Sequence, residues 1–473
     1  MPHQQDENLE IEEKLQARDD IDHESSTSVS LAPDPSGFAN EKLPTNHNVD
    51  VEEVSTPSFA VSAPQKWNQP QINKFRLLAA FWGFLINGAH DAAFGPLIPY
   101  LETYYNLSYT VVSLLFVSPF VGYLVAAIVN NRMSHRFGRR GAATIAPITR
   151  LIPYIIIAVH PPFPVIVVIL MFAGFGSCFQ DASWNAWIGT MSNANQLLGF
   201  LHGFYGLGAL LAPLIATSMV AKYHRPWYEF YYVMIGASCF ELLIAAPAFW
   251  SETGAKFRQM HADSGGIDGK SSTKEALFTR PAARVTWLCA FFLLGYVGVE
   301  VALGGWIVTF MINIRNAEAF ASGMTATGFW LGLTVGRFIL GFITPKIGER
   351  TAITIYLPLT IGFQILFWTV PSFYASTISV AFEGFFLGPI FPAAVVAVAR
   401  LLPKRLHISA ISTAAALGKC GGSIFPFAVG AIAQAKGVQV LQPIILALLV
   451  VVLVLWLCLP RIKKQQEALA DDS

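Results

Sequence analysis

From about residue 75 to 460 the chain is a succession of apolar runs of roughly 18–25 residues, each long enough to span bilayer hydrocarbon. Such runs have to be helices, because a backbone in lipid must satisfy its N–H and C=O groups within the segment. Twelve of them fall at 75–98, 110–130, 141–160, 164–188, 197–221, 229–250, 284–311, 321–344, 351–370, 373–400, 406–434 and 440–460. Only 13% of residues are charged, where a soluble domain carries about 25%. The expected class is an all-α membrane protein with two six-helix halves, 71–250 and 284–460. A polar, Gly/Ser-rich linker (251–283) joins them, and a cytosolic tail follows at 461–473.

The halves resemble each other. A basic stretch, Asn131 to Arg140, lies between the second and third runs, and a counterpart, Gly341 to Arg350, lies between the eighth and ninth, 210 residues on. Arg136/Lys346, Gly138/Gly348 and Arg140/Arg350 coincide. The same offset carries Gly174-Phe175 onto Gly384-Phe385, and Asp91 onto the neighbour of Glu300. Fixed-offset similarity of this kind in a membrane protein points to two related halves with a site between them.

Residues 1–70 hold 14 acidic and four basic residues with few aromatics, so they are expected to form a disordered acidic tail. Basic residues around the runs gather on one side: Lys66, Lys74 and Arg76, the two basic stretches, the linker, loop 10–11 and the C-terminal flank. Lys222, Arg225, Arg315 and Lys436 lie on the other. Both termini are therefore expected in the cytoplasm, and the plasma membrane is the expected location. Nothing in the basic residues marks a nucleic-acid partner. The five cysteines lack the spacing of a metal site or disulfide framework.

A carboxylate at mid-membrane costs about 2.5–3.5 kcal/mol unless it meets a wet cavity or a partner, so those within the runs are candidates for function. They are Asp91, Asp181, Glu241, Glu300 and Glu383, with Arg150, Arg337 and Lys419 as the cations. A buried carboxyl can exchange a proton near physiological pH, which is the chemistry of proton coupling. The competing reading is an acid–cation pair that only fixes helix packing, favoured for Glu241. Asn87 and His90 precede Asp91; Gln180, Asp181, Trp184, Asn185 and Trp187 form a polar-aromatic patch; His202, Tyr205 and Trp306 add further groups. Amides and carboxylates for hydroxyls, with aromatic faces for C–H surface, suit a polyhydroxylated solute. Gly and Pro interrupt the first, fifth, tenth and eleventh runs, as expected of helices lining a cavity.

Over residues 75–460 these motifs resemble the major facilitator superfamily, the two basic stretches looking like its loop signature. The family's usual acid before the Arg is His135 in one copy and Pro345 in the other. A closer resemblance, to the fucose–proton symporter group, is carried by Gly174-Phe175-Gly176 with Asp181 and Asn185, Leu201 to Gly208, and Glu300-Val301 with Gly304-Gly305-Trp306. Gly336-Arg337 with Gly341, and Gly388 to Pro392, complete it. The resemblance implies a major facilitator fold and acids in the first and fourth helices, Asp91 and Asp181, that serve coupling and sugar binding. The expectation is a secondary transporter of a sugar or similar polar solute by proton-coupled symport, with sodium left open as the coupling ion in place of the proton. It would be a monomer in the lipid bilayer, not an enzyme, with no metal or cofactor. Asp91, Asp181 and Glu300 are the coupling candidates; Asn87, Gln180, Asn185, His202, Tyr205, Trp306 and Glu383 the substrate candidates; Arg136, Arg140, Arg337 and Arg350 the gating candidates. Two alternatives stand beside it: a proton-antiport exporter of a hydrophobic metabolite, and a non-transporting sensor whose acidic tail binds a partner.

Overall fold

The computed structural model describes residues 65–263 and 269–460; the acidic segment 1–64 and the tail 461–473 lie outside the described residues. Among the described residues there is no strand, only an isolated bridge between Lys66 and Gln69. Helices α1 Ile72–Tyr105, α2 Tyr109–Val112, α3 Leu114–Ala158, α4 Phe163–Gly189, α5 Ala194–Thr217 and α6 Phe230–Ala248 build the first half. Two short helices, α7 Gly254–Asp263 and α8 Gly269–Phe278, occupy much of the linker that the sequence presents as loop. The second half holds α9 Ala282–Asn313, α10 Ala319–Ile347, α11 Glu349–Thr369, α12 Phe373–Leu387, α13 Ile390–Leu401, α14 Lys404–Lys436 and α15 Leu441–Leu457.

Ten helical stretches among the described residues are long and apolar enough to cross a membrane. One of them, Tyr109–Ala158, has 50 residues. At 1.5 Å per residue that is about 75 Å, more than twice the hydrocarbon thickness. The basic stretch inside it, expected as a loop, is helical except at Gly138, where φ 64° and ψ −159° turn the chain. Its counterpart Gly348 also has a positive φ, 83°, and separates α10 from α11. A Cβ is strongly disfavoured in that region of φ, which explains glycine at both positions. Helix α1 is not among the ten; Asn87, His90 and Asp91 break its apolar run.

The internal repeat is physical. In the first half α3 packs on α4, and in the second α10 packs on α12. A Cβ on Gly122 would overlap the Met171 carbonyl, and one on Gly174 the Pro119 carbonyl. At an offset of 210 residues Gly332 meets the Ala381 carbonyl and Gly384 the Phe329 carbonyl in the same way. Backbones therefore touch without side chains between them, the packing that helices in lipid favour. The other tight pairs are α1 with α5 and α9 with α14. Between the halves α1 meets α9, α5 meets α10, and α3 meets α14.

Of the four expected interruptions, the tenth run breaks at Gly388-Pro389, between α12 and α13. The other three helices pass through Pro96, Pro213 and Pro426. The fifth departs from α geometry only later, widening into a π-helical turn at Ser218–Lys222. A proline removes one donor, and helices in lipid absorb that where neighbouring groups re-satisfy the freed carbonyl.

Candidate functional site

The site grows outward from Asn87, buried in α1. Its amide nitrogen donates to Asp181 Oδ1 at 3.1 Å and to Gln180 Oε1 at 3.4 Å. Its carbonyl oxygen accepts from Ser177 Oγ at 3.0 Å and from the Arg150 guanidinium. Arg150 in turn grips both oxygens of Glu241 at 2.7 and 2.6 Å, and Gln180 Nε2 donates to Glu241 Oε1 at 2.5 Å. Arg150 and Glu241 are fully buried. The pair therefore neutralises itself and serves as a footing that fixes Asn87 of α1 and the neighbouring Gln180 and Asp181 of α4.

One helical turn beyond Asn87, Asp91 faces the second half. Its Oδ2 accepts from Tyr205 Oη of α5 at 2.8 Å and lies 3.7 Å from Lys419 Nζ of α14. The Lys419 ammonium also stands 5.6 Å from the centre of the Tyr123 ring and 5.9 Å from that of Tyr205, within cation–π range. The Asp91 and Lys419 side chains keep 33% and 36% exposure although both are mid-helix. Asn185 and His202 meet at 3.2 Å, and Asn185 Nδ2 donates to the Asp181 carbonyl at 2.8 Å. Asn87, Gln180, Asp181, Asn185 and His202 are thus joined by hydrogen bonds, and the Asp91–Tyr205 pair stands one helical turn from Asn87, all on α1, α4 and α5.

The second-half candidates are placed differently. Glu300 pairs with Arg337 at 3.2 Å, and Arg337 Nε donates to the Gly388 carbonyl at 3.3 Å. Arg337 is thereby a partner of a site acid and of the broken tenth helix. Trp306 is fully buried, donates to the Pro426 carbonyl at 2.8 Å, and packs edge-on against Tyr109. Glu383 is fully buried, and neither carboxyl oxygen has a hydrogen-bond partner among the described residues.

The gating candidates sit at the ends of the halves. The Arg140 guanidinium stacks 3.4 Å over the Trp250 ring, and the Arg140 backbone N–H donates to the Glu252 carbonyl at 3.0 Å. Arg136 lies 5.5 Å from the Phe137 ring. The Glu252 carboxylate meets Arg76 at 3.1 Å, Arg139 at 3.0 Å and Lys256 at 2.6 Å. Burial pushes this carboxyl upward, but the Lys256 hydrogen bond and the three positive charges outweigh burial and hold it below the ordinary carboxylate range. Arg350 repeats the arrangement in the second half, donating to the carbonyls of Leu457, Leu459 and Pro460 at the end of α15. Each basic stretch is thus clamped to the end of the last helix of its own half.

Sequence reasoning missed Tyr123, Ser177 and Glu252. The first two carry no charge in apolar helices, and Glu252 falls just past the sixth run. The partner of Lys419, open in the sequence, is Asp91.

The chain matches the Major Facilitator Superfamily over residues 80–362 and 301–472. It is 29% identical over 457 residues to Bypass of stop codon protein 6 of Saccharomyces cerevisiae, covering 90% of each chain. It is 21% identical over 349 residues to a glucose/mannose transporter of Bacillus subtilis, covering 73% of this chain and 85% of that one. Its fold is similar to the crystal structure of a D-xylose-proton symporter, with a TM-score of 0.68 and 14% identity over 82% of this chain and 98% of the other. The family match extends over both halves of the helical bundle, whose internal contacts repeat at a fixed offset. The chain belongs to the Major Facilitator Superfamily and is a membrane transporter, not an enzyme.

Proposed function

We propose that the protein moves a sugar or similar polar solute across a membrane by alternating access, as a proton-coupled symporter of the kind seen in the fucose–proton symporter group. In this reading the chain crosses twelve times, counting α1 and the segments on either side of Gly138, with both termini in the cytoplasm of a plasma-membrane monomer. The observation that carries it is Asp91: a mid-helix carboxylate, a third exposed, hydrogen-bonded to Tyr205 where the two halves meet. Its neighbours Asn87, Asp181, Asn185 and His202 offer donors and acceptors suited to hydroxyl groups. Similarity to glucose/mannose and glucose/galactose transporters favours a hexose.

Asp91 takes a proton from the more acidic side, solute binds beside it against Asp181 and Asn185, and the loaded protein reorients. The test uses purified protein in liposomes loaded with a pH-sensitive dye, with D-glucose, D-galactose, D-mannose and D-xylose added outside in turn. Acidification driven by one sugar in the wild type and absent in Asp91→Asn is the expected result. Sugar uptake that follows an imposed sodium gradient and moves no proton would replace the proton by sodium. No sugar-driven flux in folded protein would overturn the sugar reading.

A further inference from the structure

Glu102 belongs neither to the site around Asp91 nor to the clamped basic stretches. It stands near the end of α1, four residues past the first apolar run, and on the topology proposed above this is the outer end. A contact lower on the helix fixes the face it lies on. A Cβ on Gly95 would overlap the Gly304 carbonyl of α9, so that face of α1 meets the second half. Glu102 is seven residues further on, close to two full turns, and returns to the same face. Beyond it Tyr109 ties the halves together. Its backbone N–H donates to Gln434 Oε1 of α14 at 2.8 Å, and its hydroxyl accepts from Asn313 Nδ2 of α9 at 3.0 Å. Next to this latch Glu102 Oε1 is shielded from solvent and has no hydrogen-bond partner among the described residues.

We propose that Glu102 is a proton site that works the outer latch: this end of the bundle closes by taking up a proton there and opens by releasing it. The inference uses only the alternating-access part of the reading above, and neither the sugar nor the coupling ion enters it. A charged carboxylate oxygen without a donor is costly when shielded from water, and the acid form far less so. Burial in the closed latch accordingly raises this carboxyl from the ordinary 4.5 to about 8. Once the halves part, water reaches the group and the ordinary value returns. The closed form therefore binds the proton more tightly than the open one. Its advantage is complete below 4.5 and is lost as pH rises to about 8. Between those values each unit of pH changes the closed-to-open ratio by up to about tenfold.

The charged groups at this end are committed elsewhere. Glu229 of the turn before α6 pairs with Arg225 at 3.0 Å, and Arg315, just beyond α9, donates to the Phe367 and Trp368 carbonyls. Lys222, after α5, lies over the Tyr223 and Phe320 rings, and Lys436 is exposed at the end of α14. The phenols beside Glu102 are held as well, Tyr105 by the Pro161 carbonyl and Tyr109 by Asn313. Among the described residues none of these cations pairs with Glu102.

The test needs no solute, so a failure of the sugar reading leaves it untouched. Full-length protein with its native cysteines replaced carries spin labels at the exposed positions 159 and 374, beside the outer ends of α3 and α12, and distances are measured from pH 5 to pH 8. In the wild type the share of the longer, open distance is expected to rise with pH, the ratio changing by about tenfold or more over the range. Asp91→Asn is expected to keep that slope, which separates Glu102 from the coupling candidate. Asp91→Asn/Glu102→Gln is expected to hold one ratio, rich in the closed distance, at every pH. Asp91→Asn/Glu102→Leu should do the same, and it decides the matter if the Gln variant does not fold. A slope missing from the wild type, a slope lost in Asp91→Asn alone, or a slope retained in the double variants would overturn the inference.

Discussion

Replacing Arg150 by Met would leave the Glu241 carboxylate, which has no solvent exposure, without its cation. The two groups approach to 2.6 Å, with their charge centres about 4 Å apart, and at an effective dielectric of about 20 their attraction is about 4 kcal/mol. An unpaired charge at mid-membrane costs about 2.5–3.5 kcal/mol on insertion scales, and breaking a buried pair from one side costs about 3–5 kcal/mol. The single variants Arg150→Met and Glu241→Leu should therefore each lose about 3–4 kcal/mol. The double variant removes both charges and should lose only the hydrogen bonds to Asn87 and Gln180, about 1–2 kcal/mol. The assay is thermal unfolding in detergent, followed by a thiol-reactive dye that labels the buried Cys178 and Cys289 as they become exposed. The double variant should melt well above either single one. If instead its loss equals the sum of the singles, the two residues are not compensating each other and the footing under Asn87 has been misassigned.

Glu252→Gln should lower stability by about 2 kcal/mol at pH 7, since three cations would lose a largely buried carboxylate. Because folding depresses this carboxyl, its contribution is complete above the ordinary value of 4.5 and fades as pH falls through the lower folded value. The melting difference between wild type and variant should thus be flat above about pH 5.5 and vanish in acid; a difference that persists in strong acid would exclude the ionic cause. Gly174→Leu should prevent folded expression, because its Cβ would overlap the Pro119 carbonyl, and Gly384→Leu should do the same against Phe329; normal melting of either would refute the backbone contact. Tyr109 joins the halves through Gln434 at 2.8 Å and Asn313 at 3.0 Å, so Asn313→Ala/Gln434→Ala should loosen that end. A Thr217→Cys probe beside Gly323 should then react several-fold faster with a membrane-impermeant thiol reagent, whereas an unchanged rate would show that the latch lies elsewhere.

The membrane class and the helical series were legible because lipid allows a twenty-residue apolar run few other fates. The repeat was legible too, and Gly174/Gly384 turned out to mark the same backbone contact twice. Helix continuity was harder to read. Pro96 and Pro426 look like breaks in one dimension, but the packing around them keeps α1 and α14 intact, and only Gly388-Pro389 divides a helix. Within the site, charge stood out against apolar surroundings, so every ionised group around Asp91 was visible beforehand. Which acid took which cation was not, because those pairings cross between helices far apart in sequence. Trp306 shows the remaining limit: an indole beside Gly304-Gly305 reads equally as a cavity wall or as packing, and here its N–H is bound to Pro426.

The glycine seams have a mechanical consequence. Where a backbone carbonyl sits in the notch left by a missing side chain, the two helices cannot slip by a fraction of an ångström and repack. The next notch is a full turn away, about 5.4 Å. The α3–α4 and α10–α12 pairs are therefore stiff struts with no intermediate setting. Compliance is left to the surface between halves, where, beside a close approach of Gly95 to the Gly304 carbonyl, flexible side chains such as Lys419 and Tyr109 make contacts. A compound that wedges into that surface would jam the motion without deforming either half, and one directed at a seam would find nothing there to displace.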